Sequence, residues 1–315
     1  MKAMIRGRYG PPEVLAMREV DKPVPGERSV LIEVRAASLN RSDWEGLIGK
    51  PLYARIGGMS PTLGTDVAGV VEAVGSQVER FRPGDAVFGD IMYHGGKAFA
   101  AYVEVPESAP LVLKPPGLSF VEASTLPQAG VIALQGMGRR VKENDRVLVN
   151  GGGGGTGAFA IQMAKNVGAE VTGVDNGHKL QFMSSLGADH VIDYETSDYT
   201  RSGSYDLILD LVCHRSMFAI RRAVAPGGRY SVVGGSVPAL LSAATLARLL
   251  ATEERTMGVL MVRPKRDDLS ELADQVVSGT LKTTVDRTYS LEELPLALQA
   301  LGEGRVLGKV VVEMS

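Results

Sequence analysis

The chain of 315 residues is poor in the side chains that build cross-linked or metal-tied scaffolds: it has one cysteine, Cys213, and four histidines, His94, His178, His190 and His214. One cysteine excludes an intramolecular disulfide, and the set is too small for a Cys-rich structural zinc cluster. Aromatic residues are scarce, at 5%. Lys+Arg (34) and Asp+Glu (36) nearly cancel to a net charge of −2, which argues against a surface built for nucleic acid or an anionic membrane. Long apolar runs are missing too. The leucine-rich stretch from Val237 to Ala251 contains Arg248 and falls short of the roughly 18 uncharged residues of a membrane span. Met1 to Gly10 carries Lys2, Arg6 and Arg8 where a secretory signal needs an apolar core. Internal repeats, low-complexity tracts and a Gly-x-Ser-x-Gly hydrolase elbow are also absent. The expectation is a cytoplasmic protein acting on a small or neutral partner.

What is abundant is glycine, 38 residues of 315, against a usual share of roughly 7%. The length allows about two domains. Up to about residue 118 the pattern is one of short β-type runs, Val30 to Val34, Val67 to Val74, Ala86 to Phe88 and Ala101 to Val105, cut by turns such as Pro83-Gly84-Asp85. Pro115-Pro116-Gly117 then breaks the pattern. Beyond it, Val147 to Val149, Val171 to Val174, His190 to Ile192, Leu207 to Val212 and Tyr230 to Val233 recur with the rhythm of βαβ units, which implies a parallel, doubly wound sheet. The tail has a helix (Leu269 to Val277), a strand (Thr283 to Tyr289), a helix opened by a Ser290/Glu293 capping box and a last strand, Lys309 to Glu313. We therefore expect an α/β protein with a first, irregular β domain over 1–118 completed by 263–315, and a dinucleotide-binding domain over 119–262.

Six of the glycines fall between residues 151 and 157. Val147-Leu148-Val149-Asn150 leads into Gly152-x-Gly154-x-x-Gly157, and an apolar helical face follows over Ala158 to Gly168. In that strand–loop–helix context the motif predicts a dinucleotide pyrophosphate on the helix N-terminus, because missing side chains let the backbone approach the phosphates. Asp175, 23 residues after Gly152, stands where an acid accepts hydrogen bonds from the adenosine ribose of NAD. A 2′-phosphate would be repelled there by up to roughly 4 kcal/mol at a separation of about 4 Å. Yet Lys179 and Tyr194 are placed to reach the same group, so the choice between NADPH and NADH stays open.

Several stretches together resemble the medium-chain dehydrogenase/reductase superfamily, and within it the zinc-free, zeta-crystallin-like quinone oxidoreductase branch. They are Ala36-Ala37-Ser38-Leu39-Asn40-Arg41-Ser42-Asp43, Leu63-Gly64-Thr65-Asp66-Val67-Ala68-Gly69, Arg82-Pro83-Gly84-Asp85, Thr125-Leu126-Pro127-Gln128-Ala129-Gly130, Ser185-Leu186-Gly187-Ala188-Asp189 and Gly304-Arg305-Val306-Leu307-Gly308-Lys309-Val310. The resemblance implies a GroES-like domain joined to a Rossmann domain. In zinc-using relatives a cysteine stands at Asn40 or a neighbour, and a histidine at Thr65; this chain has neither. Lacking the Lewis acid that stabilises an alkoxide, it is expected to reduce rather than oxidise. The implied reaction is hydride transfer from NADPH, with NADH possible, to a quinone or an enone, in a homodimer paired near Met257 to Val262. An enoyl reductase for carrier- or CoA-linked chains, and a nucleotide-binding regulator with little turnover, are the alternatives.

Carried over residue by residue, the resemblance gives Gly154, Gly155, Thr156 and Gly157 the pyrophosphate, Asp175, Lys179 and Tyr194 the adenosine end and Gly234 the nicotinamide end. Asp175 departs from NADPH-preferring members, and Ile132 stands where a threonine is common. On the acceptor side the candidates are Asn40, Asp43, Trp44, Tyr53 and His94. Asn40 and Tyr53 are read as the hydrogen-bonding, catalytic pair. Asp43 reads more readily as structural, since a lone carboxylate beside a developing oxyanion is unfavourable unless protonated. Trp44 is as readily ordinary packing, and His94 a solvated loop residue.

Overall fold

The computed structural model describes residues 1–56, 58–250 and 254–314, so Ala251 lies outside the described residues. The chain divides into two compact units, Met1–Val131 with Pro264–Ser315, and Ile132–Arg263.

The first unit opens with an antiparallel pair, β1 (Lys2–Arg6) and β2 (Leu15–Glu19). It continues through β3 (Ser29–Ser38), helix α1 (Arg41–Ile48), β4 (Asp66–Val74), β5 (Ala86–Asp90), β6 (Tyr102–Pro106), β7 (Leu111–Leu113) and α2 (Phe120–Thr125). The turn at Pro83-Gly84-Asp85 forms as its residues require: Gly84 has φ +95°, and the Arg82 N–H donates to the Asp85 carboxylate at 2.8 Å.

The second unit carries α3 (Val131–Met137), β8 (Arg146–Asn150), α4 (Gly155–Asn166), β9 (Glu170–Asp175), α5 (Leu180–Ser185), β10 (His190–Asp193), β11 (Tyr205–Asp210), α6 (Met217–Ala223), β12 (Val224–Val232), α7 (Val237–Leu250) and β13 (Thr256–Val259). Its six strands are all parallel, in the order β10-β9-β8-β11-β12-β13. Strand order therefore reverses between β8 and β11, and such a switch point opens a crevice at the carboxyl ends of the strands. Leu148, Val149, Ile208 and Leu209 are fully buried, as strands covered on both faces require. β11 ends at Asp210, two residues short of the apolar run, because the Asp210 carboxylate takes the N–H groups of Val212 and Cys213.

The chain then returns to the first unit through α8 (Arg266–Val277), β14 (Val285–Ser290), α9 (Leu294–Gly302) and β15 (Lys309–Glu313). β15 pairs antiparallel with β3, completing a seven-stranded sheet of order β14-β15-β3-β4-β5-β7 with β6 also on β3. Val310 and Val312 enter the same buried core as Val30, Ile32 and Leu298. The Ser290/Glu293 capping box is present, but it opens a 3-10 turn, Leu291–Glu293, and α9 starts after it. The first boundary also differs from the sequence expectation. Pro115-Pro116-Gly117 marks a loop, and the chain stays with the first unit to Val131, because Ala123, Ser124, Thr125 and Leu126 are buried there.

Candidate active site

In the second unit, β8 runs into the glycine loop at the reversal of strand order. Gly151, at φ +88°, and Gly152 both donate their N–H groups to Val174 O of the neighbouring strand β9. A Cβ on Gly157 would lie 2.3 Å from Gly151 O, so only glycine lets α4 start this close to the end of β8. At Gly154 the nearest atom to an added Cβ is 3.6 Å away, so the loop there is open. Gly154 is the N-cap of α4, no side chain caps the helix, and no acid lies in its first turn. The first N–H groups of an α-helix have no partner within it, and they carry its positive end. This cradle fits a dinucleotide, with Gly154, Gly155, Thr156 and Gly157 the residues that would hold its pyrophosphate.

Asp175, at the end of β9, sits beside that loop and not in solvent. Its carboxylate accepts from Gly153 N–H and Asn176 N–H, each at 2.9 Å, and faces the Lys179 ammonium at 3.7 Å, with both side chains nearly buried. A side chain on Gly153 would displace Lys179, since a Cβ would fall 2.5 Å from Lys179 Cδ and 2.8 Å from its Cβ. Tyr194 N–H bonds Asp175 O, and the half-exposed Tyr194 ring meets His214 edge-on at 5.8 Å. The structure thus joins Asp175, Lys179 and Tyr194 in one corner. Gly234, with φ +78°, follows the end of β12 in a conformation other residues rarely adopt.

A buried polar cluster occupies the first unit where β3, β4, β15 and the π-helical turn Leu126–Gly130 meet. Lys309, on β15, is 2% exposed, and its ammonium donates to Asn40 Oδ1 at 2.6 Å and Leu39 O at 2.9 Å and pairs with Asp66 at 3.5 Å. Asn40 Nδ2 donates to Asp66 Oδ2 (2.9 Å) and Thr65 Oγ1 (3.3 Å); Ser38 Oγ and Gln128 N–H also bond Asp66. Burial pushes the Asp66 carboxyl up and the Lys309 ammonium down, while their mutual attraction opposes both. The positions of zinc ligands in relatives, Asn40 and Thr65, hydrogen-bond each other, and among the described residues no group of three His, Cys, Asp or Glu side chains is placed to hold a metal.

The other candidates divide. Both donors of the Asn40 amide are taken up inside the cluster, so Asn40 organises the site instead of offering a hydrogen to an acceptor. Asp43 closes the α1 capping box by accepting from Asn40 N–H at 2.8 Å. Trp44 packs on the core, with Gly302 so close that a Cβ there would lie 2.5 Å from its ring. The Tyr53 hydroxyl lies 3.2 Å from the Glu45 carboxylate, and burial together with that charge pushes it up to about 12. His94 ends the 3-10 turn Met92–His94, with Nδ1 buried and unpaired among the described residues. Sequence reasoning missed Lys309, Asp66, Ser38 and Gln128. The available signal was a lysine heading the apolar run Val310-Val311-Val312, since a charge there must be paired to be buried.

Asp43 and Asp90 add an expected pH dependence. Burial, reinforced by Asp66, pushes each carboxyl from the ordinary carboxylate range up to about 7. The folded protein therefore binds more protons than the unfolded chain, and the stability these groups confer, full below about pH 4, is lost as pH rises through about 7. Thermal unfolding followed by circular dichroism should show a falling melting temperature between pH 5 and 8. Asp43→Asn, which keeps an acceptor for Asn40 N–H, should flatten that fall and stabilise the protein at pH 8 by roughly 2–4 kcal/mol. An unchanged slope would remove Asp43 from the account.

Comparison with known proteins places these features in context. Residues 26–116 match the family model of the alcohol dehydrogenase GroES-like domain, and residues 186–312 that of a zinc-binding dehydrogenase. The chain is 31% identical to quinone-oxidoreductase QR1 of Triphysaria versicolor, over 94% of this chain and 92% of the relative. It is 32% identical to the NADPH-dependent alkenal/one oxidoreductase of Arabidopsis thaliana, over 99% of this chain and 79% of the relative. The quinone oxidoreductase structure from Coxiella burnetii superimposes with a TM-score of 0.91 at 29% identity, covering 100% of this chain and 99% of that one.

Proposed function

The chain belongs to the medium-chain dehydrogenase/reductase superfamily, in its quinone oxidoreductase-like branch, and from that premise we propose that this NAD(P)H-dependent oxidoreductase draws its hydride from NADPH and passes it to a quinone or an enone. The observation that carries the choice of donor is the pairing of Asp175 with Lys179. A bare carboxylate at the end of β9 would repel a 2′-phosphate. Here that carboxylate is hydrogen-bonded to two N–H groups and faces an ammonium, so the repulsion is largely cancelled. The donor named for the Arabidopsis relative supports the same reading. Enoyl reduction on a carrier and a purely regulatory role are not favoured by these two relatives.

The two units divide the work. When bound, the reduced nicotinamide supplies the hydride. Gly154 to Gly157 and the N-terminus of α4 bind the pyrophosphate, and Lys179 and Tyr194 receive the adenosine phosphate end. In the first unit the Lys309–Asn40–Asp66 cluster fixes the backbone from Ser38 to Asn40 and so gives the acceptor a rigid, dry wall. The reading takes the enzyme as a cytoplasmic homodimer paired along β13, an edge strand of its sheet.

Steady-state assays with NADPH and NADH, each against a simple quinone and an enone, test this directly. Wild-type protein should oxidise NADPH with at least one acceptor class, with no metal added and no effect of chelator. Lys179→Ala exposes Asp175 and should raise the KM for NADPH by roughly 10- to 100-fold while changing that for NADH much less. NADPH affinity unmoved by Lys179→Ala would overturn the donor assignment, and inactivity with both acceptors despite nucleotide binding would overturn the reductase reading.

A further inference from the structure

Building on the reductase reading, we propose that Gln128 supplies the hydrogen bond that orients and polarises the acceptor's carbonyl oxygen. Asn40 cannot do so, since both its N–H groups are committed to Asp66 and Thr65. Gln128 differs from it in each respect that matters. It sits in the π-helical turn Leu126–Gly130, a backbone irregularity common at functional sites, and it is only partly buried. Two contacts fix its position: its backbone N–H bonds Asp66 Oδ1 at 3.1 Å, and its Oε1 accepts from Ser42 Oγ at 2.9 Å. Its remaining polar atom, Nε2, points to the thioether of Met92 at 3.3 Å. A thioether is a weak acceptor, and an amide N–H resting on one loses little when a carbonyl oxygen takes its place.

The chemistry suits that donor. As the hydride pair arrives at the β-carbon of an enone, the C=C electrons shift toward oxygen and the carbonyl becomes an enolate, which a proton from water then completes. In a quinone the same charge develops on the ring oxygen. An amide donor fixed in place can meet that charge, and Ser42, by holding Oε1, leaves Nε2 turned to Met92 and not to Ser42. Ser42 is thus a positioning residue, and Met92 occupies the donor until an acceptor displaces it.

Gln128→Ala and Ser42→Ala, assayed with NADPH against an enone and a quinone, test the assignment. Gln128→Ala should lower kcat/KM for the acceptor by roughly 100-fold while leaving NADPH affinity within twofold, and Ser42→Ala should give a smaller loss of the same kind. Gln128→Glu, which keeps size but replaces the donor with an acceptor, should be at least as impaired, and it covers the case in which the alanine variant does not fold. Calorimetric titration of the saturated ketone product should show weaker binding to each Gln128 variant. Wild-type turnover combined with undiminished kcat/KM in Gln128→Ala overturns this role alone. A parallel loss of NADPH affinity marks Gln128 as merely structural and also overturns it. Wild-type protein that reduces neither acceptor overturns the reductase reading, and this role with it.

Discussion

Lys309→Met is expected to destabilise the protein by about 3–5 kcal/mol, the cost of leaving one half of a buried ion pair without its partner. The ammonium is 2% exposed and Asp66 fully buried, so water cannot replace what is lost. Asp66 would keep its bonds from Ser38, Asn40 and Gln128 but lose the cation paired with it, while Asp43 and Asp90 crowd it with negative charge once they ionise above about pH 7. Its least costly response is to take up a proton, which caps the loss and makes it larger at high pH. Thermal melts should show the first unit's transition lowered by roughly 10 °C. Combining Lys309→Met with Asp66→Asn removes both charges and should recover a large part of the loss, and a double-mutant cycle in urea measures the coupling. A single variant as stable as wild type at pH 8 would show that the pair does not organise the cluster.

Gly157→Ala should abolish useful dinucleotide binding, weakening NADPH by roughly 100-fold or more, equivalent to about 2.7 kcal/mol. The added methyl would meet Gly151 O at 2.3 Å and Gly152 Cα at 2.5 Å, both backbone atoms that cannot swing aside. Relief requires α4 to move away from the end of β8, which displaces the helix N-terminus from the place where it meets the phosphates. Gly154→Ala is the informative control. Its methyl finds only Gly151 O at 3.6 Å, so the fold should be unaffected while the side chain stands in the open approach to the helix N-terminus. Fluorescence titration with NADPH alongside near-ultraviolet circular dichroism separates the two effects: lost binding with shifted packing for Gly157→Ala, weakened binding with native packing for Gly154→Ala. Wild-type affinity in Gly157→Ala would contradict the loop's assignment.

The candidate dinucleotide cradle of the second unit was legible in the sequence because its parts are close together along the chain. A strand, six glycines, a helix, and an acid and a lysine shortly after form one local unit, and only backbone geometry is needed to place them. Even there, the sequence left the sign of the adenosine end undecided. The distance from Lys179 to Asp175, and the two N–H groups on that carboxylate, are facts of packing that spacing alone does not give. The buried polar cluster of the first unit was harder to read. Asn40, Asp66, Gln128 and Lys309 come from segments up to 269 residues apart. Each taken alone has an ordinary explanation as a turn residue, a strand end or a surface charge.

By itself the sequence determined the two-unit α/β architecture, the parallel sheet, the glycine cradle and the missing cysteine and histidine of zinc-using relatives, because periodicity, turn chemistry and the absence of a side chain are local properties. The tertiary structure decided which polar groups remain able to act. It brought the carboxyl-terminal strand β15 against β3, placed Lys309 on Asn40 and Asp66, and thereby committed the asparagine that had looked catalytic while leaving Gln128 resting on a thioether. Hydrogen-bonding capacity is finite, and how much of it is left over for a substrate depends on every neighbour the fold supplies.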